Sequence, residues 1–246
     1  MSAVAVFLIA VGCADIARRL TTRTWAGALI GALAALATAA MCGLWHPGDL
    51  LLIGLVAASV PAWELACTHA ERVGGRRQLA PLVLFMAVIA ALVLLSGFGS
   101  PVAGAVQAWS QWTTLPGIDS LQPGRLVMVV GVVLLQLVTG NQLVRLLLGS
   151  VGAVKPAGQP QASDRLKGGR LLGPMERLLI LGLSLAGQLA AATAVVAAKS
   201  IIRFPEINAQ KARENGGIGI DDVTEYFLVG SFASWIVALG GLALAQ

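Results

Sequence analysis

Charge is what this chain has least of: Asp, Glu, Lys and Arg make up 12% of its 246 residues, against 57% hydrophobic ones. A water-soluble fold of that length would have to cover itself with polar side chains that are not there. Histidine is also scarce. The only two, His46 and His69, fall on opposite expected sides of a membrane, which argues against a bis-histidine haem or zinc centre within one chain. Cys13, Cys42 and Cys67 form no CxxC pair, so neither a disulfide framework nor a zinc site is expected, and they read as small buried hydrophobes. The sequence holds no GxxxxGK phosphate loop, no HExxH, no GxSxG elbow and no pair of intramembrane aspartates. Those absences remove the common catalytic constellations, and neither a cofactor nor a metal is expected. The net charge of +5 and pI of 9.6 come with no basic stripe interleaved with aromatics, so nucleic acid is not an expected partner.

What the chain does have is long uncharged apolar stretches, at 26–44, 50–60, 79–95, 126–140, 178–198 and 227–245, with a mean hydropathy of +0.82. A bilayer core needs about 20 mostly apolar residues per helical crossing. The fold class expected is therefore all-α, a polytopic transmembrane bundle forming one domain over 1–246. The helices are placed at 3–17, 25–44, 50–68, 79–97, 125–148, 174–199 and 223–244. Pro61 is expected to kink the third, and Pro174 suits the first turn of the sixth.

Basic residues set the orientation. The first, third and fifth loops carry most of the Lys and Arg and the second and fourth almost none, while the sixth mixes Lys199, Arg203, Lys211 and Arg213 with Glu206, Glu214, Asp221, Asp222 and Glu225 and fits the pattern least. Seven helices follow, with the N-terminus outside and the C-terminus cytoplasmic. The alternative is six, with the first apolar segment lying flat. Residues 149–173, which mix Gly, Pro and Ser with Lys155, Arg165, Lys167 and Arg170, form the expected flexible cytoplasmic loop. Residues 99–124, with Pro101, Pro116, Pro123, Trp109 and Trp112, form the expected extracytoplasmic interfacial segment.

Polar groups inside apolar spans are costly and point to packing or function. Glu64 lies in the kinked half of the third helix, where Arg72, Arg76 or Arg77 would neutralise it. The fifth helix carries Gln136, Asn141, Gln142 and Arg145, either as interhelical glue or around a ligand path. The sixth opens with Glu176 and Arg177, holds Gln188 mid-span and closes at Lys199, with Glu176 and Lys199 read as snorkelling anchors at opposite interfaces. Lys199 and Arg203, four apart, could hold a lipid phosphate, or be neutralised by Glu206 or Glu225. Small residues from Ala186 to Ala194 suggest a tight antiparallel hairpin between helices six and seven.

The order Glu176-Arg177, Gly187-Gln188, Ala197-Ala198-Lys199-Ser200, Arg203-Phe204, Glu225-Tyr226 and Gly230 resembles the end of an uncharacterised bacterial multi-pass family, sometimes encoded beside SatD-like proteins. The resemblance covers the last third of the chain and implies membrane location and helix pairing, not a reaction. In that family the first helix bears His and Asp; here residues 3–16 offer only Asp15.

Three functions compete. The first is a non-enzymatic membrane protein, either a partner subunit or a small channel- or carrier-like module. The second is an enzyme or binder of a lipid-linked, phosphate-bearing substrate using Lys199 and Arg203. The third is a small-molecule or ion transporter with Glu64 and the fifth-helix cluster around its path. Membrane lipids and another membrane subunit are the expected partners, and the Ala-, Gly- and Val-rich composition suits a bacterial plasma membrane.

Overall fold

The computed structural model describes residues 1–21, 23, 25–113, 121–154, 169–198, 201 and 220–246. Every regular element among them is helical. The helices are α1 (Ser2–Leu20), α2 (Ala26–Met41), α3 (Pro47–Val73), α4 (Leu79–Leu94) and α5 (Gly104–Trp112). Then follow α6 (Pro123–Leu134), α7 (Gly140–Ser150), α8 (Gly169–Leu185), α9 (Leu189–Ala198) and α10 (Ile220–Ala245). A π turn over Leu135–Thr139 joins α6 to α7.

Four of these stretches are long and apolar enough to cross a membrane: Pro47–Val73, Gly75–Leu94, Pro123–Ser150 and Tyr226–Ala245. Their exteriors invert the soluble pattern. On α10, Leu228, Phe232, Ile236 and Leu239 face outward and are exposed, while Ser231, Ser234 and Ala238 face inward and are buried. Such apolar helices are compatible with a membrane-embedded protein.

At the centre lies α1. Of its 19 residues 13 are buried, because α2, α3, α4, α6 and the π turn all pack on it. Small residues make this enclosure possible. On α2 a stripe of Gly27, Gly31, Ala35 and Ala39, each one turn apart, is the buried face. A Cβ on Gly31 would sit 2.9 Å from both the Ala10 carbonyl and the Ala14 Cβ, so the α1 and α2 backbones approach closely there. Rings from three helices complete the core, with Phe85 on α4 lying 5.4 Å from both Phe7 on α1 and Trp63 on α3. A helix enclosed in this way is the middle of the bundle, not a segment lying on its surface.

Contacts at the helix ends define two poles. Near one pole the Ser2 hydroxyl donates to Ser100 O at 3.0 Å, and Ala103 N–H donates to Cys42 O at 2.9 Å. Asp49 ties the same pole together, accepting the His46 N–H at 3.2 Å and the Ser100 N–H at 2.7 Å. Arg125 at the start of α6 donates to Ala245 O, at the end of α10, across 3.1 Å. The other pole gathers Arg18, Arg19, Arg23, Arg72, Arg76 and Arg77, with Gln78 against Gly149 and Leu148 against Gly230.

Both ends of the chain therefore lie at the Ser2–Ala245 pole, which differs from the expected placement on opposite sides. The sixth helix also departs from its expected bounds. Instead of one helix over 174–199, α8 stops at Leu185 in a Schellman cap: Gly187 takes φ +75°, and Gln188 N–H reaches back to Leu183 O at 2.8 Å. Gln188, expected mid-span, sits in the break, and α9 is a separate short helix. α8 packs against α10, joined by the Trp235–Glu176 and Arg177–Ser234 hydrogen bonds. Within the small-residue stripe Ala186, Gly187 and Ala190 are exposed.

Candidate functional site: a charged centre within the bundle

Two polar clusters occupy the interior, one on each side of the π turn. The first is built on α1 and α3. Asp15 and Glu64 are 1% and 4% exposed. Arg18, one turn beyond Asp15, is the cation they share. Its Nη2 lies 3.3 Å from Asp15 Oδ1, its Nε 3.8 Å from Glu64 Oε2 and its Nη1 3.9 Å from Glu71 Oε1. Glu71 is the outermost of the three, with a side chain 40% exposed. The Trp63 indole N–H donates to Asp15 Oδ1 at 3.2 Å, and Gln142 Nε2 donates to Glu71 Oε1 at 2.9 Å, which brings α7 into the cluster. Glycine at 27 gives the Glu64 carboxyl its room, because a Cβ there would lie 3.0 Å from Glu64 Cδ.

The first cluster is under-satisfied. Among the described residues, Asp15 Oδ2, Glu64 Oε1, Thr139 Oγ1 and Arg18 Nη1 are buried without a hydrogen-bond partner. Buried polar atoms are normally paired, and several orphans in one place mark a position where something other than packing has shaped the residues. With all three carboxyls ionised, one guanidinium would face three negative charges. That balance favours a positively charged occupant.

In the second cluster the arginine is well bonded, while Gln136 Oε1 is buried without a hydrogen-bond partner among the described residues. Arg177, 1% exposed, donates from Nε and Nη2 to Gln136 O at 3.1 and 2.8 Å, from Nη2 to Asn141 Oδ1 at 2.6 Å and from Nη1 to Ser234 Oγ at 3.1 Å. The π turn presents that carbonyl. Gly140 N–H donates to Leu135 O, five residues back, and the Gln136 carbonyl turns to the guanidinium. Arg19 takes a second carbonyl of the same turn, donating to Val138 O at 3.0 Å. Beside Arg177, Glu176 accepts the Trp235 indole N–H at 2.9 Å. The arrangement ties the π turn, α7, α8 and α10 into one knot.

Several sequence expectations are relocated by this geometry. Glu64 is partnered by Arg18 on α1, not by Arg72, Arg76 or Arg77, because the α1–α3 packing brings Arg18 to its side. Gln136 is 0% exposed and donates from its side chain to Val237 O at 3.0 Å. Asn141 and Gln142 serve different clusters, Arg177 and Glu71 respectively, since neighbouring helix positions point about 100° apart. Arg145 and Gln188 are exposed. Lys199, Arg203 and Glu206 lie outside the described residues, and so does the side chain of Glu225.

Asp15, Arg18, Glu71 and Arg177 were not among the expected site residues. Glu176, expected as an interfacial anchor, is buried, and Arg177 beside it is a buried tie, for a simple reason. α8 begins at Gly169 and not at Pro174, so Arg177 lies about 12 Å along the helix instead of in its first turn. Asp15 had a visible signal, a carboxylate inside an apolar run one turn before an arginine. Among the described residues, no group of three His, Cys, Asp or Glu side chains is placed to hold a metal ion. Comparison of the chain with protein-family models, with curated proteins and with solved structures finds no match.

Proposed function

We propose that the chain is a multi-pass protein of the bacterial plasma membrane that works as a small carrier-like module for a positively charged species. Its working part is the centre formed by Asp15, Arg18, Glu64 and Glu71. The observation that carries this reading is the burial of two carboxylates beside one shared arginine, at 1% and 4% exposure, toward the arginine-rich end of a bundle whose exterior is apolar. Ionisable groups at such positions are expensive to keep and are typical of ion and proton pathways. The well-bonded Arg177 knot supports a structural role for the second cluster.

The proposed topology has six crossings, α1, α2, α3, α4, the α6–α7 pair and α10, with α8 and α9 as a broken extra element. The arginine-rich pole is cytoplasmic by the positive-inside rule, which leaves both chain ends outside.

Purified protein in liposomes, with proton-, sodium- or potassium-sensitive dye inside, tests the reading under an imposed membrane potential. Wild type is expected to pass one of these ions faster than empty liposomes, and Glu64→Gln to abolish the difference. Equal leakage from all three preparations for every ion would remove the carrier reading. A polypeptide copurifying at fixed stoichiometry in gentle detergent would put the partner-subunit reading in its place.

A further inference from the structure

We propose that Asp15 and Glu64 together hold one exchangeable proton, with Arg18 fixed beside both and Glu71 as the outlet to water. This deepens the reading above by naming the species that the charged centre takes.

The geometry supplies three independent supports. First, each buried carboxyl has one oxygen bonded or ion-paired and one buried oxygen, Asp15 Oδ2 and Glu64 Oε1, with no partner at hydrogen-bond distance among the described residues, the Thr139 hydroxyl lying close to Asp15. A carboxyl with an unpaired buried oxygen is the form that a proton relieves, by converting an acceptor-only group to a neutral one. Second, the charges do not balance without it. The groups facing the pair are Arg18 and, more distantly, Arg19 on α1, with Cys67 and Glu71 on α3. The π turn presents the Thr139 hydroxyl, and α7 presents the neutral Gln142, through Glu71. Neither α2 nor α4 carries an ionisable residue between its first and last positions, and Arg19 is engaged with Val138 O. Arg18 and, at longer range, Arg19, whose charge its bond to a neutral carbonyl does not remove, are therefore the two cations left to offset the three carboxylates Asp15, Glu64 and Glu71.

Third, there is a graded route outward. From Asp15 at 1% exposure, through Glu64 and the 22% exposed side chain of Arg18, the cluster reaches Glu71, whose side chain is 40% exposed near the end of α3. The same route contains no third buried carboxylate that would complete a metal cage. Proton capture is then a plain association. A proton from bulk water arrives by way of Glu71 and bonds to a lone pair on Asp15 Oδ2 or Glu64 Oε1. Release reverses that step, and no other bond is made or broken.

Infrared difference spectroscopy of the protein in nanodiscs, titrated from acid to alkaline pH, reads the proton directly through the carbonyl stretch of neutral carboxyl groups. Wild type is expected to keep such a band at neutral pH and lose it on alkalisation. The band should be missing or moved in Asp15→Asn and Glu64→Gln, and unaltered in the controls Asp49→Asn and Glu176→Gln. Glu71→Gln should keep the band but slow its response to a pH jump, by about a hundredfold for loss of a proton relay. Absence of the band from correctly folded wild type near neutral pH, or its persistence in both Asp15→Asn and Glu64→Gln, would overturn the proposal. An unchanged rate in Glu71→Gln would remove Glu71 as the outlet. A band that behaves as expected without any ion flux in liposomes would leave the proton site standing and defeat the carrier reading. Flux without the band would do the reverse.

Discussion

Replacing Arg177 by methionine keeps much of its length and removes its four hydrogen bonds to Gln136 O, Asn141 Oδ1 and Ser234 Oγ. The Gln136 carbonyl, on a 0% exposed residue, then loses the donor that the π turn aims it toward. Each buried acceptor left unpaired costs about 1–3 kcal/mol, and removing a buried cation that was itself expensive to bury returns part of that. A net loss of roughly 2–5 kcal/mol follows. At about 2–4 °C per kcal/mol for a chain of this size, the melting temperature should fall by roughly 4–20 °C. Arg177→Lys keeps the charge but cannot fork across three acceptors, so its loss should be intermediate. Arg145, exposed on α7 one turn beyond Asn141, is the control, and Arg145→Ala should stay within about 0.5 kcal/mol. Thermal unfolding in detergent, followed by tryptophan fluorescence, gives all three values. An Arg177→Met protein that melts with wild type would mean that the knot carries no net stability, and the account of the π turn would have to be abandoned.

Other outcomes follow from the same packing. Gly31→Ala places a Cβ 2.6 Å from Val60 Cγ1 and 2.9 Å from Ala10 O, an overpacking that should cost about 1–3 kcal/mol in the same melt, and a neutral result would contradict the α1–α2 approach. Trp63→Phe removes the indole donor from Asp15, for about 1–3 kcal/mol. In the Asp15→Asn background it should cost less, and full additivity in that double-mutant cycle would show that the two side chains do not interact. A reporter enzyme fused after Gln246 should be active outside the cell, because both chain ends share one pole; cytoplasmic activity would reject the proposed topology.

The medium and the helical class were legible in the sequence, since twenty-residue apolar runs carry that information without any partner. Glu64, Gln136, Asn141 and Gln142 stood out for the same one-dimensional reason, as polar letters within apolar stretches. Their partners did not. Arg18 looks like a stop signal at the end of a short helix until the glycines of α2 and α6 let α1 sink into the centre, bringing that arginine beside Glu64. Likewise, Gly187 reads as one small residue among several, and only its positive φ makes it the end of α8. Hydropathy is a sum over neighbours along the chain, so it reports the solvent each segment prefers. Which carboxylate meets which arginine, and at which pole the chain finishes, depends on contacts between residues far apart in sequence, and those were fixed by close packing in three dimensions.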